Sequence, residues 1–241
     1  MWLAVTLGQA SVIASLVLRK IAGQFKLFWI YLIGNVLRAM ALRWLGGGVD
    51  SVAYRTVWVA TEAVVLVLQA LVVLEFFRLL YRAYPGIQAF ARILLFVAMA
   101  AAVGLTFGTV QLDVGRIVWR VPDVQRLFVL KRLVSSLLGI LLLTTVAFFP
   151  KAPSASNILV HGWLLTVLFI VTAGGFFGIN VGLATNWMGT VFLTVQLACC
   201  ILWVVYLRPA DVGGRKPNAE AVARTERWNE DLVLFAKWLA G

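Results

Sequence analysis

Four ionisable residues stand inside long apolar stretches of this chain: Arg38, Glu62 and the adjacent Lys131 and Arg132. Placing a charge in hydrocarbon is costly, so such groups face a protein interior or a wet cavity, and they are where function is expected. Arg55, Glu62 and Gln69 recur at a spacing of seven and therefore share one face of a helix. Asn35 and Arg38 do the same at i and i+3. If these faces converge, one acid meets as many as four cations, and the chemistry on offer is binding. The expected site is a net positive pocket between helices for a small anion or carboxylate. Its ligand-binding residues would be Asn35, Arg38, Arg55, Glu62, Gln69, Lys131 and Arg132. The same residues admit two other readings. An Arg38–Glu62 ion pair would fix helix register while Lys131 and Arg132 run their stems outward to lipid head groups, or the polar layer would carry an ion or proton.

The elements that hold these groups follow from composition. Hydrophobic residues make up 62% of the 241, well above the 45 to 50% or so of a soluble domain, and mean hydropathy is +0.95. Runs long enough to cross a bilayer as helices fall at residues 2 to 18, 27 to 46, 53 to 77, 87 to 108, 127 to 149, 158 to 179 and 185 to 207. A membrane barrel would need short strands of alternating polarity, and Ala63 to Leu74 is apolar on every face. The expected fold is therefore all-α: a polytopic seven-transmembrane-helix bundle over residues 1–208, followed by a cytoplasmic tail over 209–241. The first run lacks a preceding positive residue and is followed by Arg19 and Lys20, which reads as a retained helix rather than a signal peptide.

Loop charge predicts the orientation. Arg19, Lys20, Lys26, Arg78, Arg82, Arg92, Lys151 and the basic residues of the tail all fall on one side of a seven-span layout. The other side receives Arg43, Arg55, and Arg116 and Arg120 offset by Asp113 and Asp123. The positive-inside rule then puts the N-terminus outside and the C-terminus in the cytoplasm, in a cell inner membrane. It also accounts for the net charge of +11 without nucleic acid, which is not expected as a partner. Residues 109 to 124 form the one extended polar loop. In the tail, Ala221, Trp228, Leu232, Phe235 and Leu239 share a helical face, so an amphipathic helix is expected there, on the membrane surface or against a protein partner. Ala100, Gly104 and Gly108, and Gly174, Gly178 and Gly182, are spaced for close approach of neighbouring helices. Glu75 and Arg78 are expected to form a helical ion pair in an interfacial belt with Tyr81 and Tyr84.

Other chemistry is set aside. His161 is the only histidine, which excludes a bis-histidine haem or a histidine-rich metal site within the chain, and an interfacial hydrogen-bonding role is expected for it. Cys199 and Cys200 are neighbours in one run and are read as buried packing residues. No phosphate-binding glycine loop or nucleophile elbow occurs, so no enzymatic activity and no cofactor are expected.

The seven-span layout is similar to that of G-protein-coupled receptors, but in architecture alone. The third run ends in Glu75-Phe-Phe-Arg78 without an Asp-Arg-Tyr triplet, and the seventh in Trp203-Val-Val-Tyr206 without Asn-Pro. Four short stretches resemble a family of bacterial seven-span membrane proteins of unknown function. They are Phe28 to Leu32, Trp58 to Glu62, Arg82 to Gly86, and Arg227-Trp228-Asn229. That resemblance implies the topology and no site residues. The function expected from the residues is a small-molecule or signal sensor with an outward-facing polar pocket, whose partners are the lipid bilayer and a small anionic ligand. An accessory subunit of a larger membrane complex, or a transporter or lipid-handling protein, is the alternative.

Overall fold

The computed structural model describes residues 2–45, 52–81, 93–104, 122–148, 156–180, 186–207 and 227. Among them every regular element is helical: α1 (Trp2–Leu18), α2 (Lys26–Trp44), α3 (Val52–Leu80), α4 (Ile93–Gly104), α5 (Pro122–Phe148), α6 (Ser156–Asn180) and α7 (Asn186–Tyr206). Four of these, α3, α5, α6 and α7, are long and apolar enough to cross a membrane. The protein is thus a helical membrane protein. Helix α1 is apolar but short at 17 residues, and α2 carries Lys26, Arg38 and Arg43 along its length.

The apolar runs and the helices coincide closely, with one correction. Helix α5 starts at Pro122, inside the stretch read as loop; proline is tolerated in a first turn because its missing N–H has no intrahelical partner there. The remainder of that loop, residues 87–92 and 105–108 of the fourth run and the tail helix other than Arg227 lie outside the described residues.

Helix α1 ends through a paired turn: Ile21 N–H donates to Leu16 C=O and Lys20 N–H to Val17 C=O, each at 3.0 Å. Lys20 takes the left-handed backbone conformation this turn requires, with φ of 56°. The short connection to α2 makes the two helices antiparallel neighbours. Neighbours continue around a ring, α1 to α2 to α3 to α5 to α6 to α7 and back to α1, with α3 also touching α6. The interior is a single apolar cluster running from Val12 and Phe28 through Val73 and Phe76 to Leu138, Leu165 and Trp203.

Helices in this ring are apolar on both sides, which is the signature of a bundle solvated by lipid rather than water. On α6, Leu164, Leu165, Leu168 and Phe169 face in, while Trp163, Val167, Ile170 and Phe177 face out and are exposed. Those outer faces are suited to bilayer contact.

Within the chain, Gly104 and Gly174 are not points of close helix approach, and Gly108 and Gly182 lie outside the described residues. A Cβ at Gly104 or Gly174 would meet nothing within 4 Å, whereas one at Gly162 would lie 2.5 Å from the Phe76 ring. Gly162 is where α6 meets α3, and any side chain there would have to displace a fully buried aromatic ring.

Candidate functional site

Three ring helices each contribute one charge to a cluster centred on Glu62. Its carboxylate lies on the inner face of α3 and is fully buried. One oxygen pairs with the Arg38 guanidinium from α2, and the other meets Lys131 Nζ from α5 at 2.5 Å. Arg38 is aimed by a second contact, its Nε donating at 3.0 Å to Thr61 Oγ1. That hydroxyl in turn donates to Val57 C=O at 2.6 Å, so α3 holds both the acid and the group that orients its partner.

Aromatic rings shield the outer sides of the cations. The Arg38 guanidinium lies 5.8 Å from the Trp58 ring centre and Lys131 Nζ lies 4.8 Å from that of Phe176. Phe128 bridges the two rings, with centroids 5.3 Å from Trp58 and 5.5 Å from Phe176. A ring face attracts a cation, and the attraction grows when water is excluded. The triad is therefore a packed unit with one negative and two positive charges.

Beside it is a partly open cavity of about 270 Å³, walled by all six ring helices. Arg38 and Lys131 line it, each with its side chain only 13% exposed, as do Tyr31, Asn35 and Gln69. Helix α1 adds Gln9, α6 adds Thr172 and α7 adds Gln196. The lining comes from the early parts of α1, α3, α5 and α7 and the late parts of α2 and α6, so the cavity occupies one end of the bundle. It extends to Trp2, Leu42 and Tyr54 near the helix ends.

The polar groups of the wall are not all used. Gln69 Nε2 donates weakly to the Tyr31 hydroxyl at 3.5 Å and the Asn35 side chain bonds to the same hydroxyl, while Gln69 Oε1 is buried with no protein partner among the described residues.

Comparison with protein-family models, curated proteins and solved structures gives no match. The site must stand on its own geometry.

Of the seven residues singled out by spacing, Arg38, Glu62 and Lys131 are in contact, and Asn35, Arg38, Gln69 and Lys131 line the cavity. Lys131 does not run outward to lipid head groups; it turns in to the second oxygen of Glu62. Arg132, next along α5, faces elsewhere, with its guanidinium 5.9 Å from the Phe177 ring centre. Arg55 does not line the cavity, although it shares the α3 face with Glu62 and Gln69. Seven residues correspond to nearly two helical turns, so the drift between 3.5 and 3.6 residues per turn is small. At that level the α3 residues that line the cavity are Tyr54 and Trp58.

The other end of the bundle holds a second buried polar arrangement, whose design the sequence did not reveal. Glu75 was expected to pair with Arg78 along its own helix. Instead its two oxygens accept the backbone N–H groups of Leu27 and Phe28 at 2.9 and 3.0 Å, capping the N-terminus of α2. A carboxylate there answers both the unpaired N–H groups and the positive end of the helix dipole. His161 was expected at an interface, yet it is only 1% exposed. Phe25, Phe28, Phe76 and Trp203 surround it, with ring centroids 4.6 to 6.4 Å away. The arginine at the end of α1, Arg19, donates to Leu207 C=O and ties α1 to the end of α7.

Proposed function

We propose that the protein is a seven-span inner-membrane sensor that binds a small carboxylate in the cavity beside Arg38 and Lys131. The observation that carries this reading is the surplus cation: Glu62 balances one of the two, and both line a cavity large enough for a compact molecule. Usual small-molecule sites occupy about 300–1,000 Å³, so a ligand here is near the lower limit of size. Cations held at a largely buried position attract an anion more strongly than the same cations would at a surface.

Orientation is part of the proposal. Arg19, Lys20, Lys26 and Arg78 sit at helix ends opposite the cavity, which supports placing that end in the cytoplasm and the cavity toward the outside. A ligand would then enter from outside, and the tail would report its arrival within. No group in the cavity is arranged as a nucleophile and base, which favours binding over catalysis.

The test is calorimetric titration of the full chain, purified in mild detergent, with small monocarboxylates. Saturable binding that is lost in Lys131→Met and Arg38→Met supports the reading; equal binding by those variants overturns it. Purification from the native membrane tests the accessory-subunit alternative, which predicts stoichiometric comigration with a large complex.

A further inference from the structure

We infer that the ligand is a hydroxylated carboxylate, and that Gln9 on α1 and Gln196 on α7 are the residues that read its hydroxyl groups. This rests on the carboxylate-binding reading above and extends it to the remainder of the molecule. Trp2, Val5, Thr6 and Gln9 line the cavity at helical spacing, so one face of α1 descends along it from the mouth. Gln9 lies seven residues, about 10 Å, below Trp2. On α7, Gln196 lines the same cavity. The two glutamines stand at one level, because their chain neighbours Gly8 and Leu197 mark a close approach of the two helices. A Cβ at Gly8 would lie 3.1 Å from Leu197 Cδ1.

Gln9 is an anomaly of its helix. The buried residues of α1 are Val5, Gln9, Val12 and Leu16, so an amide takes one place in an otherwise apolar stripe. Gln9 is 6% exposed. Neither its side chain nor that of Gln196 has a hydrogen-bond partner among the described residues, and the amide atoms of both open on the cavity. Burying an amide without a partner is unfavourable, so its place in the stripe is explained by what enters the cavity.

A hydroxyl group matches these side chains. Each amide presents a donor and an acceptor, and a hydroxyl is both at one atom, so the match holds whichever way either amide is turned. Gln69 Oε1, buried without a protein partner among the described residues, adds an acceptor from α3. A hydrocarbon chain would displace water from these groups and restore none of its hydrogen bonds. A second carboxylate would exceed the single surplus cation of Arg38, Glu62 and Lys131. Sites built to hydrogen-bond a group reject analogues that lack it, by much more than an apolar pocket rejects an added methylene.

The probes are gluconate, with a hydroxyl on every carbon beyond its carboxylate, and hexanoate, with the same carbon chain and no hydroxyl. Sorbitol, with hydroxyls and no charge, is the third. Each is titrated into the full chain in detergent micelles, against a protein-free micelle blank. Gluconate is expected to bind at least about tenfold more tightly than hexanoate. Gln9→Leu and Gln196→Leu are each expected to remove most of that preference without lowering affinity for hexanoate. Gln9→Leu completes the apolar stripe of α1, so its thermal midpoint is expected to equal or exceed that of the parent. Gln196→Leu provides the same comparison if Gln9→Leu does not fold. A preference for gluconate that survives in both variants would overturn the assignment of Gln9 and Gln196. Equal binding of gluconate and hexanoate, or tighter binding of hexanoate, would overturn the hydroxyl reading and leave the carboxylate reading intact. Binding of sorbitol alone would overturn the carboxylate reading, and binding of none of the three would overturn both.

Discussion

Glu62 and Glu75 lie on the same helix, 13 residues and so about 20 Å apart, and both are buried, but they are satisfied in opposite ways. Glu62 is held by side chains, two cations brought in by α2 and α5, and the surplus charge lines a cavity. Glu75 is held by backbone, the two N–H groups at the start of α2, and its surroundings are the packed aromatic rings around His161. A backbone-capped acid is complete: every strong bond it can make is internal to the fold. The side-chain triad is incomplete by one charge, and that remainder is available to something outside the chain. A buried charge is thus informative about binding only after its partners have been counted.

The contrast is most sharply tested by removing each acid. Glu62→Ala strands two buried cations and is expected to cost about 3–5 kcal/mol, read as a large fall in the thermal midpoint of the detergent-solubilised protein. Loss of a few tenths instead would mean that the cations are already solvated, and the triad would not be the packed unit described. Glu75→Ala leaves two N–H groups of α2 without acceptors and is expected to cost about 1–2 kcal/mol, with carboxylate affinity unchanged. A fall in affinity would show that the two ends are coupled.

Lys131→Met should have a smaller effect on stability, about 1 kcal/mol, because Glu62 keeps Arg38. Its larger effect is on binding, so stability and affinity separate at this residue in a way they do not at Glu75. The smallest expected effects are at the open glycines: Gly104→Ala and Gly174→Ala should change stability by no more than about 0.5 kcal/mol, since the added methyl meets nothing in the chain. A greater loss in native membranes than in detergent would identify a second chain against that face. Gly162→Ala, whose Cβ would lie 2.5 Å from the Phe76 ring, is the internal control for a real clash and should cost about 1–3 kcal/mol.

Much of this was legible from residue types alone. Hydropathy located the helices to within a few residues, because lipid-facing and core-facing positions are both apolar and the run length is the helix length. Spacing found the Asn35–Arg38 and Glu62–Gln69 faces, and approximate depth put Arg38, Glu62 and Lys131 in one layer, since charges in a membrane protein are few enough to be conspicuous. Rotation of each helix about its axis was not legible. Lys131 and Arg132 are adjacent in the chain and about 100° apart around α5, so one meets Glu62 and the other lies over Phe177, and hydropathy treats them alike.

In the same way Glu75 appeared to belong to Arg78. The sequence shows what an acid has beside it along the helix, but the N-terminus of α2 becomes its partner only when two helices pack. Local pattern therefore established that this chain is helical and suited to lipid, and predicted a layer shared by Arg38, Glu62 and Lys131. Packing chose which of those charges are neutralised, which glycine is indispensable, and where a cavity is left. Those choices depend on helix rotation and contact between residues far apart in the chain, and no local periodicity encodes either.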